Sequence, residues 1–245
     1  MQSVQRVCSI LLSFKIEEPI LGVSEIARRL GLPKSAVHRL LDSLVQLGLV
    51  ARDRTSSRYR LGPRAAELGF AALGTPDIRG LAMPVLQDLS RRTDETATLT
   101  LLAGHERFYA EQVPSLQDVK MTVELGRRCP LYAGASGHAL LAFFSTAQLN
   151  SYLATTPLEP LTDRTITSRD TLIRELERVR RNGFAVSAGE RDPWAAAIAA
   201  PVFHGDVLVA AISVCGPLSR FTEEQTHDYG EMVRLAARQL SEQIG

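Results

Sequence analysis

Residues 23–42, VSEIARRLGLPKSAVHRLLD, constrain this chain more than any other stretch. Two helices that cross closely need a small residue at the crossing, and the turn between them needs a residue that tolerates positive φ. Ala27, Gly31 and Val37 meet these demands at the fifth, ninth and fifteenth places, and Ile26, Leu30, Leu32 and Leu40 supply the apolar packing. Ser24 is expected to cap the first helix, with Glu25 favouring its first turn. The second helix is predicted from Pro33 or Lys34 to Gln46, with Val37, Leu40, Leu41, Leu44 and Val45 buried and Gly48 closing it. This spacing predicts a helix-turn-helix, a device that lays its second helix in the DNA major groove.

The flanking sequence extends the motif. Apolar residues recur every three or four positions over 4–14, predicting an amphipathic helix that Pro19 and Gly22 bring to an end. Residues 49–51 and 59–61 read as short strands joined by the polar run 52–58, a hairpin with a charged tip. Pro63 can start a further helix over 64–73, and Gly74-Thr75-Pro76 marks a boundary. Beyond it, a helix is expected at 78–92, strands at 96–102 and 108–113 around Gly104, and a third strand at 119–123. Helices at 136–144, 148–153 and 171–181 precede strands at 184–187, 197–203 and 207–214, and a helix at 223–243 follows. Strands joined by tight turns such as His204-Gly205-Asp206 imply an antiparallel sheet with helices packed on it, an α+β fold.

Charge is uneven along the chain. Residues 1–75 hold eleven Lys/Arg against six Asp/Glu, a net of +5, while 76–245 hold 17 against 21, a net of −4. A basic head on an acidic body suits a nucleic-acid-binding module joined to a sensor. No apolar run approaches the roughly 20 residues of a membrane span. The apolar stretch 7–14 is short and lacks a cleavage site, so it does not read as a secretion signal. Cys8, Cys129 and Cys215 are far apart, and neither they nor the five histidines have ligand spacing. The expectation is a reduced cytoplasmic protein with no metal, no cofactor and no membrane partner.

The DNA-facing candidates follow from groove geometry. Lys34, Ser35, Ala36, His38 and Arg39 occupy the N-terminal half of the second helix, with Ser24 counted beside them. Arg39 offers a fork to guanine, Ser35 and His38 suit base edges or phosphate, and Ala36 suits a thymine methyl. Arg52, Arg54 and Arg58 on the hairpin suit phosphates or the minor groove. The plainer reading of each is a solvated surface residue.

EIARRLGLPKSAVHRLLDSLVQLGLV, YRLGPRAAELG, YAGASGHALLA, NGFAVSAGERDPWAAAIAAPV and VAAISVCGP, in that order, resemble the IclR family of bacterial regulators over nearly the whole chain. The resemblance implies a winged helix-turn-helix over 1–62, a linker helix over 63–75 used in dimerisation, and a GAF-like effector domain over 76–245. It further implies a dimer or tetramer on a partly palindromic double-stranded operator. By the same resemblance, Ala135, Ser136, Ser187, Ala197, Ser213 and Cys215 are expected to contact the effector. Two physical arguments agree: the helix start at residues 134–137 can receive a carboxylate, and Ser213 and Cys215, two apart on a strand, share a face. The plainer reading makes Ser136 a helix cap and Ser213 a satisfied core hydroxyl.

His138 stands where the family often has lysine, and Trp194 where glycine is usual. Trp194 either lines a pocket or covers its loop. With Met121, Leu131, Tyr132 and Phe144 expected nearby, an aromatic or otherwise apolar acid is the expected effector class. Ser136, His138, Glu190 and Asp192 contain the residue types of a hydrolase. However, Gly134-Ala135-Ser136-Gly137 is not a G-x-S-x-G elbow, and Ser136 and His138, two apart on a helix, diverge. Two alternatives to a sensing regulator are a scaffold that has lost DNA binding, which the intact turn and the basic wing argue against, and a constitutive DNA-binding protein whose pocket is silent.

Overall fold

The computed structural model describes residues 2–15, 18–53, 56–65, 68 and 78–244, which divide into two compact units, 1–76 and 77–245.

In the first unit, α1 (Gln2–Leu11), α2 (Val23–Leu30) and α3 (Lys34–Gln46) precede a hairpin of β1 (Val50–Arg52) and β2 (Tyr59–Leu61). Val50 lies opposite Leu61, and Leu21 exchanges backbone hydrogen bonds with Tyr59, which adds a third short segment to the wing. The periodicity that predicts the helices is the periodicity of the core. Ile10, Ile26, Val37, Leu41 and Leu44 are buried together, and Leu30, Leu32 and Leu40 pack against them. Gly31 ends α2 with φ +63°, a conformation that favours glycine, and turns the chain into α3. The start of α2 differs from expectation. Gly22 is the cap, and the Glu25 carboxylate accepts its N–H at 3.2 Å, so Ser24 lies exposed inside the first turn. Residues 63–65 are helical, while most of the helix expected over 64–73 lies outside the described residues.

In the second unit, α4 (Ile78–Thr93) leads into β3 (Thr96–Ala103), β4 (Glu106–Val113) and β5 (Arg128–Pro130). Then come α5 (Ala135–Leu141), α6 (Thr146–Thr155), α7 (Arg169–Asn182), β6 (Ala185–Ala188), β7 (Ala195–His204), β8 (Val207–Pro217) and α8 (Glu223–Ile244). The six strands form one antiparallel sheet in the order β5-β4-β3-β8-β7-β6. α4 and α8 pack on each other and on the sheet. A separate cluster of α5, α6 and α7 closes over Ala185, Ala199 and Ala211 on the strands.

The strand expected at 119–123 is absent. The Gln112 side chain, not a strand ladder, holds that segment: its Nε2 donates to the Val123 carbonyl at 2.8 Å, and its Oε1 accepts the Val123 N–H at 3.1 Å. The third strand of that edge is β5 instead, pairing Arg107 with Cys129.

Candidate functional site

Lys34, Ser35, His38 and Arg39 are exposed along the first turns of α3 and Ala36 is half-buried, while Val37, Leu41 and Leu44 anchor the opposite face. His38 Nδ1 lies 2.9 Å from Asp42 Oδ2, one turn along. The wing arginines are more engaged than their charge alone suggests. Arg52 donates to the Tyr59 hydroxyl at 3.2 and 3.3 Å and stacks on that ring at 5.5 Å. Arg58 Nη2 donates to Glu25 Oε2 at 2.5 Å, bridging wing and α2. The Gly22 N–H and then Arg58 hold the Glu25 carboxyl below the ordinary carboxylate range. Arg54 lies outside the described residues. Glu25, valued in the sequence for its helix position, has the further role of Arg58 partner.

The second unit contains a cavity of about 330 Å³ between the sheet and the start of α5. Ala135, Ser136, Ser187, Ala197, Ser213 and Cys215 all line it. The sheet register explains how residues so far apart in the chain meet. Ser187 pairs with Ala197, Ala197 with Cys215 and Cys215 with Thr96, so one row runs across β6, β7, β8 and β3. Ser213 pairs with Thr98 one step along on the same face. The hydroxyls of Ser136, Ser213 and Thr98 form a chain, with Ser136 Oγ to Ser213 Oγ at 3.3 Å and Ser213 Oγ to Thr98 Oγ1 at 2.7 Å.

Gly134, not Ser136, is the cap residue of α5. Gly137 permits a close approach, because a Cβ there would stand 2.4 Å from the Leu131 carbonyl oxygen. The Gly-Ala-Ser-Gly run thus lets the helix start lie against the preceding loop.

Charged groups complete the lining, and the sequence reading missed four of them, Arg107, Glu124, Arg127 and Arg191. Arg107 and Tyr109 project from β4 on the face of Leu102 and Thr100, and Arg191 donates to the Tyr109 hydroxyl at 2.5 Å. The Tyr109 ring centroid lies 5.4 Å from the Arg107 guanidinium carbon and 5.7 Å from that of Arg191. Period-two counting back from Tyr109 toward the Gly104 turn would have brought Arg107 onto that face. Glu190 Oε2 accepts the Gly134 N–H at 3.1 Å and lies 3.4 Å from His138 Nε2, which also meets the Tyr132 carbonyl at 2.8 Å. Burial, followed by the Glu95 carboxylate, pushes the Cys215 thiol up to about 12.

Several expectations are corrected. Met121 lines the cavity, but Leu131, Tyr132 and Phe144 belong to the packed core beneath α5. Trp194 neither lines the pocket nor covers its loop: it is 78% exposed, its backbone N–H tied to Asp192. Ser136 bonds to Ser213, and His138 turns to Tyr132 and Glu190, so no serine–histidine pair forms there. Among the described residues, no cluster of His, Cys, Asp or Glu is placed to hold a metal, and no helix is long and apolar enough to cross a membrane.

Comparison with known proteins follows the same division. Residues 3–54 match the model of the IclR helix-turn-helix domain, and residues 70–242 match that of the bacterial transcriptional regulator IclR C-terminal region. The HTH-type transcriptional regulator KipR of Bacillus subtilis is 37% identical, covering 96% of this chain and 94% of its own. A solved IclR transcriptional regulator from Silicibacter sp. TM1040 superposes with a TM-score of 0.83 at 31% identity, over 99% of this chain and 96% of that one. An IclR homologue from Microbacterium hydrocarbonoxydans, solved in complex with 4-hydroxybenzoate, gives 0.83 at 29% identity over 98% of each chain. KipR and the Silicibacter protein are both named as transcriptional regulators. With an α+β fold, a winged helix-turn-helix and a separate effector-binding unit, the chain belongs to the IclR family of bacterial transcriptional regulators.

Proposed function

We propose that this regulator binds a partly palindromic operator as a homodimer or homotetramer in the cytoplasm, and that a small organic acid in the sheet cavity alters that binding. Residues 1–62 act as the DNA-reading head, 63–75 as a dimerising linker and 76–245 as the sensor. Lys34, Ser35, Ala36, His38 and Arg39 read or brace the major groove, and Ser24, Arg52, Arg54 and Arg58 serve the flanking backbone. The observation that carries the sensor reading is the convergence of Ala135, Ser136, Ser187, Ala197, Ser213 and Cys215 on one cavity. Its hydroxyl chain suits a polar ligand, and its Met121 and alanine lining suits an apolar body. An aromatic acid fits that combination, and a relative of the same fold holds one.

The deciding experiment is fluorescence anisotropy of the full chain on DNA from upstream of its own and neighbouring genes, over a salt series, with random DNA as competitor. Binding that survives the competitor and changes on adding aromatic or short carboxylic acids is the expected result. Competitor-resistant binding unchanged by every acid would leave a DNA-binding protein with a silent pocket. No binding at low salt would overturn the DNA reading.

A further inference from the structure

Arg107 is among the largest side chains removed from solvent in this protein, 1% exposed on β4 against the cavity wall. Its Nη2 donates to the Ala133 carbonyl at 3.1 Å, and its guanidinium stacks on Tyr109. Its Nε and Nη1 meet no acceptor, and among the described residues no carboxylate stands within ion-pair distance of it. The other charged groups on the wall are engaged. Glu190 accepts from Gly134, Asp192 from Trp194, Glu124 faces Arg127 at 3.9 Å, and Arg191 donates to Tyr109. A guanidinium cannot relieve its burial by losing a proton. A buried cation left short of acceptors is costly, and an anion that supplies them is bound through charge-assisted hydrogen bonds.

We propose that Arg107 receives the acid group of the effector, making this cavity selective for carboxylates over their neutral isosteres. The inference rests on the reading of the cavity as an effector site, and it adds the residue that reads the charge. The Tyr109 ring packs on the Arg107 guanidinium at 5.4 Å and is itself tied to Arg191 through its hydroxyl, and the Ser136–Ser213–Thr98 hydroxyls line the same cavity for the rest of the ligand.

The test uses the full chain with acetate, glyoxylate, benzoate and 4-hydroxybenzoate, each beside its amide, at constant ionic strength, read by thermal shift and titration calorimetry. Wild type should respond to at least one acid and not to its amide. Arg107→Gln should bind that acid about tenfold to a hundredfold more weakly, and Arg107→Lys should recover part of the acid-over-amide preference. That preference is a readout a purely structural role would not change. Equal acid binding by wild type and Arg107→Gln would overturn the Arg107 assignment and leave the effector site standing. Equal response to acid and amide would do the same. A wild type silent to the whole panel would remove the effector reading and this inference together. Failure of both variants to fold would assign Arg107 to the architecture and overturn the proposal.

Discussion

His38 and Arg39 leave neighbouring positions of α3, yet they are prepared differently: His38 is held by Asp42 at 2.9 Å, while Arg39 is exposed. A guanidinium in that position suits a bidentate approach to guanine. Arg39→Ala should cost about 1–3 kcal/mol of specific binding and relax preference at one base pair. A binding-site selection that returns an unchanged motif would remove Arg39 from base reading. Arg58 must exchange Glu25 for phosphate before it can neutralise DNA. Because the Gly22 N–H and Arg58 lower the Glu25 pKa, the carboxylate stays charged through neutral pH. Its contribution to the native state is lost only as pH falls through that lowered value. Glu25→Gln should therefore strengthen binding to all sequences and steepen the salt dependence by about one unit. A slope identical to wild type would show that Arg58 already reaches phosphate, or never does.

The elements themselves depend on a few buried contacts. Leu41 is fully buried on the inner face of α3, so Leu41→Ala should destabilise the first unit by about 2–5 kcal/mol. Calorimetry or denaturant melts of the two units would check this, with the unfolding of 77–245 expected to be unchanged. Helical elements of this kind were legible in the sequence because Val37, Leu41 and Leu44 repeat with the helix period and Gly31 marks the turn. The cavity residues on β6 to β8 were reached through the family resemblance and the two-residue period of Ser213 and Cys215. Three features were not legible. β5 is only Arg128–Pro130, too short to show alternation. Val123 looks like a strand residue, but a side-chain amide holds it. A bulge between Leu99 and Thr100 of β3 leaves Ala110 unpaired, so Tyr109 and Gln112 share a face that simple alternation would deny them. Arg107 is a different case: alternation from Tyr109 puts it on the cavity face, but its charge and its place beside a turn read as surface.

At the scale of the whole molecule, the net charges of +5 over residues 1–75 and −4 over 76–245 fall on opposite sides of the structural division at residue 76. The first unit is therefore electrostatically drawn to DNA, and the larger one is not. The cysteines divide as well: Cys8 is exposed, Cys129 buried, and Cys215 faces the cavity. With its pKa near 12, the Cys215 thiol is ionised in about one molecule in ten thousand at pH 8. Iodoacetamide at that pH should label Cys8 and spare Cys215, as peptide mass analysis would show, and rapid labelling of Cys215 would contradict its raised pKa. A chamber whose thiol resists ionisation favours an occupant held without a covalent bond. Its response can follow the ligand's concentration down as readily as up, keeping no record of a visitor that has left.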